Sequence, residues 1–468
     1  MNFKTIFKSF KNKEMRKRIL TVLGILVAYR ILAHVPVPLG DASTFKQAVD
    51  NLINSTDLGG FINLISGGGL TNFSIILVGL SPYITSSIVM QLLTKAIPRM
   101  EELHNDGETG RRKISQWTRI ATVPLAIMQS FAYVYILFQD VISANTNSTL
   151  TLTSYDWAVA VTAMTAGSVL LMWLGELITE QGIGNGISTV ILCSIVASLP
   201  TTLSAVGAQL FDTSQGTLKL FGWLELPVNP TMFGIVCGIG VGLLAVLYFL
   251  VKLNEAQRII TINYAKRVHG NSAYGGIKSI MPIKMIAAGV VPVIFAVAFL
   301  SLPSFLGQII QRNDPNSAIA QNLVKWFSAP NASNFTGLSW ESFVYPITYF
   351  LLVVMFTYFY TSIIFNAREI AENIQKQGGF IQGVRPGHAT EKYFKQVVNR
   401  LNLFGALSLG LIAMLPYIAD YIFIMTLGYP IGLSISGTGL LIIVTVAIEN
   451  LRQINSRALM VTYDDYKE

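Results

Sequence analysis

Charge is scarce in this sequence. Asp, Glu, Lys and Arg make up 12% of its 468 residues, against about 25% in a soluble domain. A soluble chain of this length would fold as roughly three domains, and so few charges could not cover their surfaces. Polar disorder is excluded as well, because 52% of the residues are hydrophobic and the mean hydropathy is +0.53. Cysteine is rarer still. Cys193 and Cys237 both lie inside apolar runs, which leaves no disulfide framework and no CxxC metal spacing, so each reads as a small buried apolar side chain. The four histidines, His34, His104, His269 and His388, form no i, i+4 pair, and HExxH, GxSxG and GxxxxGK[ST] do not occur. Nothing points to an enzyme, a metal or a cofactor. ATP-driven work would have to come from a partner.

Long apolar runs are what the chain has in plenty. Ten stretches are long enough to cross a bilayer at roughly 20 residues each: 19–36, 73–94, 116–138, 157–179, 187–209, 231–251, 282–302, 343–365, 401–419 and 432–450. They are too long for barrel strands of about 10 residues, so the expected fold is an all-α polytopic membrane protein. The first run follows a basic N-terminus but contains Arg30 and lacks a small-x-small cleavage site, so it reads as a retained span. The formal net charge of +8 takes its meaning from where the positive residues fall. All 33 Lys and Arg residues except Arg30, Lys46, Lys219, Arg312 and Lys325 lie in 1–18, 95–119, 252–284, 368–400 or the tail from Arg452. The alternate loops carry Asp41, Asp50, Asp57, Asp212, Glu225 and Asp314. An even number of spans puts both termini on the basic side, which the positive-inside tendency makes the cytoplasm.

Ionisable residues within the spans are few, among them Arg30 in the first and Glu176 near the cytoplasmic end of the fourth. Ion-coupled transporters keep several such residues along a path because each is costly in hydrocarbon. Arg30 reads as structural, satisfied by carbonyls or a neighbouring helix, and Glu176 as interfacial. Asn185 and Gly186 read as a tight turn with Asn185 capping the fifth span.

Several segments carry a family resemblance: GGGLTNFSIILVGLSPYITSSIVMQLL (67–93), GETGRRKISQWTR (107–119), WLGELITEQGIGNGIS (173–188), NEAQRIITINYAKR (254–267), AGVVPVIFA (288–296), AENIQKQGGFIQGVRPGHATEKY (371–393) and SGTGLLIIV (436–444). In this order, over essentially the whole chain, they resemble the SecY family, the channel subunits of the bacterial Sec protein translocase. The resemblance implies ten transmembrane helices in two inverted five-helix halves around a central hourglass pore in the bacterial cytoplasmic membrane. On that plan 1–18 is a cytoplasmic amphipathic N-terminus, 19–211 the N-terminal half, 212–230 an external hinge loop, 231–453 the C-terminal half and 454–468 a cytoplasmic tail.

The resemblance also assigns residues. A pore ring that grips the passing chain maps to Leu80, Ile84, Ile187, Ile191, Ile294 and Ile442; Leu80/Ile84 and Ile187/Ile191 each share a helix face by i, i+4 spacing. Spacing alone leaves such side chains as ordinary lipid-facing or packing residues. The short run 61–72, with Phe61, Ile62, Leu64 and the helix-breaking Gly67, Gly68 and Gly69, maps to the plug that blocks the external side of the closed pore. Without the family it reads equally as a re-entrant loop. The lateral gate maps to Ser81, Ser86, Ser87 and Gln91 on the second span and to Ile286, Val290 and Ile294 on the seventh. The basic loops 252–281 and 367–397, with Arg258, Lys266, Arg267 and Arg385, map to the docking surface for the SecA motor or the ribosome. The implied partners are completed by SecE and SecG, unfolded polypeptides bearing signal sequences, and membrane lipids. Ile259, Ile286 and Gln382 stand where the family usually has Arg, Asn and Pro, which leaves a specialised accessory channel as an alternative. A secondary transporter of a small solute is the alternative from another class, and the sparse intramembrane charge argues against it.

Overall fold

The computed structural model describes residues 13–38, 67, 69, 72–144, 153–211, 218–220, 224–226, 228–264, 266–269, 272–275, 278–314, 317–327, 340–427 and 433–464. The chain is helical. In order come α1 (Lys13–Leu32), α2 (Ser81–Ala96), α3 (Pro98–Asn105), α4 (Glu108–Ala144), α5 (Ser154–Gln181), α6 (Gly186–Leu210), α7 (Pro230–Glu255), α8 (Val291–Asn313), α9 (Ala318–Phe327), α10 (Val344–Ile364), α11 (Ala367–Lys376), α12 (His388–Leu427) and α13 (Leu433–Asp464).

Each of the ten expected spans has a helix at its position. Among the described residues, six are long and apolar enough to cross a membrane: Glu108–Ile136, Ser154–Gln181, Met232–Glu255, Val291–Gln311, Trp340–Lys376 and His388–Ile422. Two of the ten spans begin later than expected, for visible reasons. The second span begins as a helix only at Ser81, because the chain before it is zipped against the segment that leaves α1. Val37 N donates to Phe73 O at 2.9 Å, and Ile75 N to Val35 O at 3.0 Å. The seventh begins only at Val291, because Lys278–Lys284 is a strand and Met285 N extends its ladder by donating to Ala256 O at 2.9 Å.

Local chemistry sets the helix ends. Thr153 caps α5 in a capping box with Asp156, and Gly182 closes it in the left-handed conformation. Asn185 then caps α6 as expected, its Oδ1 accepting from Ile187 N at 3.1 Å and Ser188 N at 3.5 Å. The Thr153 and Asn185 side chains satisfy backbone donors that the first helical turn leaves open, while Gly182 N donates to Thr179 O of the last turn.

The helices pack in the same order in each half of the chain. In the first, α2 lies on α4, α4 on α5 and α5 on α6, with α1 against α5 and α6; in the second, α8 lies on α10, α10 on α12 and α12 on α13, with α7 against α13. The halves meet along α2 with α8, α4 with α8, α6 with α13 and α6 with α7. One large apolar cluster runs through both. Lipid tails are as apolar as these side chains, so close packing and polar contacts between helices hold such a bundle, with little from water exclusion.

The loops between spans hold strands. β1 (Leu218–Leu220) pairs with β2 (Leu224–Leu226). In the loop after α7, β3 (Gln257–Tyr264) pairs antiparallel with β6 (Lys278–Lys284), while β4 (Lys266–His269) pairs with β5 (Ser272–Gly275) between them. β7 (Gly379–Phe380) joins the other edge of β3, giving the order β6–β3–β7.

Candidate functional site

Five of the six ring residues are deeply buried in the shared apolar cluster: Leu80, Ile84, Ile191, Ile294 and Ile442. They come from α2 and the residue before it, α6, α8 and α13, two elements from each half. Ile187 is only partly buried and packs on the edge of the cluster, its Cγ1 lying against Gly175 of α5. Ile195, one turn beyond Ile191, is 2% exposed within the cluster. The i, i+4 rule could have extended the pair to it. A constriction of aliphatic side chains offers no hydrogen bond to water or ions and seals by dewetting.

Beside this cluster lies a polar seat. Tyr29 of α1 and Ser194 of α6 are both fully buried, and their hydroxyls are 2.5 Å apart. Ser194 also returns a hydrogen bond to Val190 O at 2.9 Å. Gly67 rests on this pair with φ +66°, and a Cβ there would collide with the Tyr29 hydroxyl. Arg30 donates from Nη1 to the Gly67 carbonyl, which gives the intramembrane arginine the carbonyl partner expected of it. Gly69 O accepts from Ser74 N at 2.8 Å. Of the plug assignment, Phe61, Ile62, Leu64 and Gly68 lie outside the described residues. Tyr29 and Ser194 carried no signal in the sequence, since a Tyr and a Ser in apolar runs are unremarkable until the fold opposes them.

The gate residues divide by the direction they face. Ser86 is fully buried and donates to Thr118 O of α4 at 2.7 Å, so its hydroxyl is committed within the first half. Ser87 accepts from Gln91 Nε2 at 3.1 Å, and both line a groove between α2 and α10 with Tyr358, Thr361 and Asn402. Gln91 Oε1 is buried without a hydrogen-bond partner among the described residues. Ser81 uses its carbonyl to accept from Thr85 Oγ1 at 3.0 Å. Ile286 and Val290 are buried in the apolar cluster just before α8. The contact between the halves here is therefore apolar on the α8 side and mixed on the α2 side. Glu176 pairs with Arg119 Nε at 2.6 Å across α5 and α4.

The two basic loops form one module. Ile260 and Ile262 of β3, Ile283 of β6, Ala367 and Ile374 of α11, Ile381, and Phe394 and Val397 of α12 share a separate small core. On its surface Arg258 and Arg385 are exposed. Thr390 Oγ1 holds the Arg385 carbonyl at 2.9 Å. Lys266 and Arg267 lie on β4, in register with Gly275 and Tyr274; the directions of their side chains fall outside the description. Ile259 is 56% exposed on β3 and Gln382 is exposed, while Ile286 is buried. One reading is corrected: Cys237 is exposed on α7, not buried, because that helix turns most of its surface outward; Cys193 is partly buried against the main cluster.

A sequence profile of the SecY family matches residues 74–451. The protein translocase subunit SecY of Streptomyces galbus is 38% identical over 472 aligned residues, covering 98% of each chain. Among solved structures, one concerned with the SecY plug domain aligns with a TM-score of 0.60 at 19% identity, over 93% of this chain and 90% of the other. Sec61 in the canine ribosome–channel complex aligns with a TM-score of 0.56 at 16% identity, over 92% and 90%.

Proposed function

The chain belongs to the SecY family, and on that premise we infer that it is the protein-conducting channel subunit of a Sec translocase. The observation that carries the reading is the burial of Leu80, Ile84, Ile191, Ile294 and Ile442, drawn from both halves, in one apolar cluster. Such a gasket yields to an unfolded polypeptide of any sequence because it selects on neither charge nor hydrogen bonding. Ile187 serves its rim and Ile195 a further turn of it.

The segment 61–72 is the plug, and the Tyr29–Ser194 pair with Arg30 is its closed-state seat at Gly67. Relative motion of α2 and α8 opens the wall to lipid. A signal sequence would replace the contacts of Ile286, Val290 and Ile294 with its own apolar side chains and would meet Ser81, Ser87 and Gln91 on the other side. Ser86 contributes by tying α2 to α4, so that α2 moves with its own half.

The module carrying Arg258, Lys266, Arg267 and Arg385 docks the SecA motor or the ribosome, with arginine suited to carboxylate or phosphate by its two-pronged donation. SecE and SecG complete the complex. The membrane is the bacterial cytoplasmic membrane with both termini inside, supported by the clustering of Lys and Arg on one side. The Arg119–Glu176 pair counts against a transporter, since it occupies the carboxylate a coupled ion would need.

Reconstitution into liposomes with SecE and SecA tests the reading. A preprotein with an intact signal should become protease-protected in an ATP-dependent manner. Absence of protection, or protection independent of the signal, would remove it.

A further inference from the structure

The turn joining α5 to α6 is held by side chains from the opposite half. Gln453 of α13 accepts from Gly184 N at 2.8 Å, and Asn450 Nδ2 donates to Thr189 Oγ1 at 3.1 Å. Thr189 Oγ1 in turn donates to Asn185 O at 2.9 Å, and Gly186 N donates to Thr179 Oγ1 at 2.9 Å. The fit is close. Gly184 has φ +89°, and a Cβ there would overlap Asn450 Oδ1; one at Gly182 would overlap the Arg457 guanidinium. α1 braces the same turn from its own half, with Arg18 Nη1 donating to Gln181 O at 3.2 Å.

Directly after this turn the chain enters the seal. Ile187 and Ile191 occupy the first turns of α6, and Thr189 lies between them. Ile442 lies on α13, two turns before Asn450, a rise of about 12 Å. One helix therefore carries a seal residue and, two turns away, the polar groups that grip the base of the facing seal helix. Separating the halves at the seal must break these contacts or strain them.

We propose that Asn450 and Gln453 are positioning residues that clasp the α5–α6 turn to α13 and so set how tightly Ile187 and Ile191 close on Ile442. The inference rests on the channel reading above. Loss of two neutral hydrogen bonds shifts a two-state equilibrium by about tenfold, so the clasp is strong enough to bias closure and weak enough to yield to a substrate.

The full chain, reconstituted with its partner subunits, tests this through the Asn450→Ala/Gln453→Ala double variant. Idle vesicles should leak a small anion about tenfold faster than the parent, and a preprotein with a weakened signal should gain transport relative to one with an intact signal. Gln453→Glu keeps an acceptor for Gly184 N and should stay as tight as the parent, where Gln453→Ala alone leaks. A Thr189→Cys/Asn450→Cys pair should seal the idle channel and stop transport when oxidised, and recover on reduction. A purely structural role would lower inserted protein and all transport alike. That result overturns the proposal, as does a double variant with parental leak and parental signal discrimination. If the parent itself moves no preprotein, the channel reading falls first and takes this inference with it; a transporting parent beside an unaltered double variant removes the inference alone.

Discussion

Gly67 lies so close over Tyr29 that any side chain at the glycine would overlap the phenol oxygen, which is itself bonded to Ser194 Oγ at 2.5 Å. α1 and α6 thus share a buried polar platform, and Gly67, in the segment leading into α2, meets it with its backbone. Gly67→Ala meets both this overlap and its left-handed backbone angle, a conformational cost of about 1–2 kcal/mol for a residue with a Cβ. The expected outcome is a channel that inserts normally and leaks ions when idle, read by dissipation of a potassium diffusion potential in proteoliposomes. Tyr29→Phe leaves room and removes only the hydroxyl bond, a loss of about 1 kcal/mol. It should leak less than Gly67→Ala.

Ile191 is 1% exposed in the cluster that joins the halves. Ile191→Ser removes apolar volume and puts a hydroxyl into the proposed seal, so both packing and dewetting should suffer. Comparable losses of buried aliphatic volume cost about 2–5 kcal/mol. Export of reporters with weakened signals should rise, together with idle leak. The same change at Leu203, which is exposed on α6, should leave both unchanged.

Much of this architecture was legible in the amino-acid order. Apolar run length located a helix at each expected span, and the motif order pointed to the family. The proposed seal could be picked out only through the motifs, because Leu and Ile have no feature that separates a pore-facing position from a lipid-facing one. The missed parts are relations between segments far apart in the chain. Neither Tyr29 with Ser194 nor the union of the loops through Asn263↔Phe380 and Tyr264↔Gly379 leaves a local pattern. The late starts of α2 and α8 were hidden for the same reason: strand pairing with distant residues overrides an apolar run that would otherwise be helical.

The module proposed for docking should keep its fold across the neutral range. Glu391 accepts from Lys395 Nζ at 2.7 Å and lies 3.2 Å from His388 Nδ1, and the hydrogen bonds from Lys395 and then His388 hold its carboxyl below the usual glutamate range. A depressed carboxylate contributes stability that is present above its unfolded value and is lost as pH falls through the folded one. Hydroxyl-radical footprinting of 367–397 should therefore be constant from about pH 8 to pH 5 and rise only below the ordinary glutamate value of about 4.3. A rise beginning near pH 6 would contradict the assignment. Glu391→Gln should remove the acidic transition.

Arg385 projects from a loop whose backbone is pinned by Thr390 and whose flanking elements share the core of the β3–β6–β7 sheet. Its side chain is exposed while its base is fixed, the combination a docking residue needs. Arg385→Glu should leave insertion and idle tightness at parental levels and abolish motor-driven transport, because the reversed charge repels the acidic or phosphate groups that arginine would bind. Arg385→Lys keeps the charge and loses the two-pronged donation, so transport should fall to an intermediate level and become more sensitive to salt. Translocation and motor ATPase stimulation, measured on the same proteoliposomes at two ionic strengths, separate these outcomes. Parental ATPase stimulation by Arg385→Glu would place the docking contact elsewhere on the module, with Arg258 as the exposed arginine to test next.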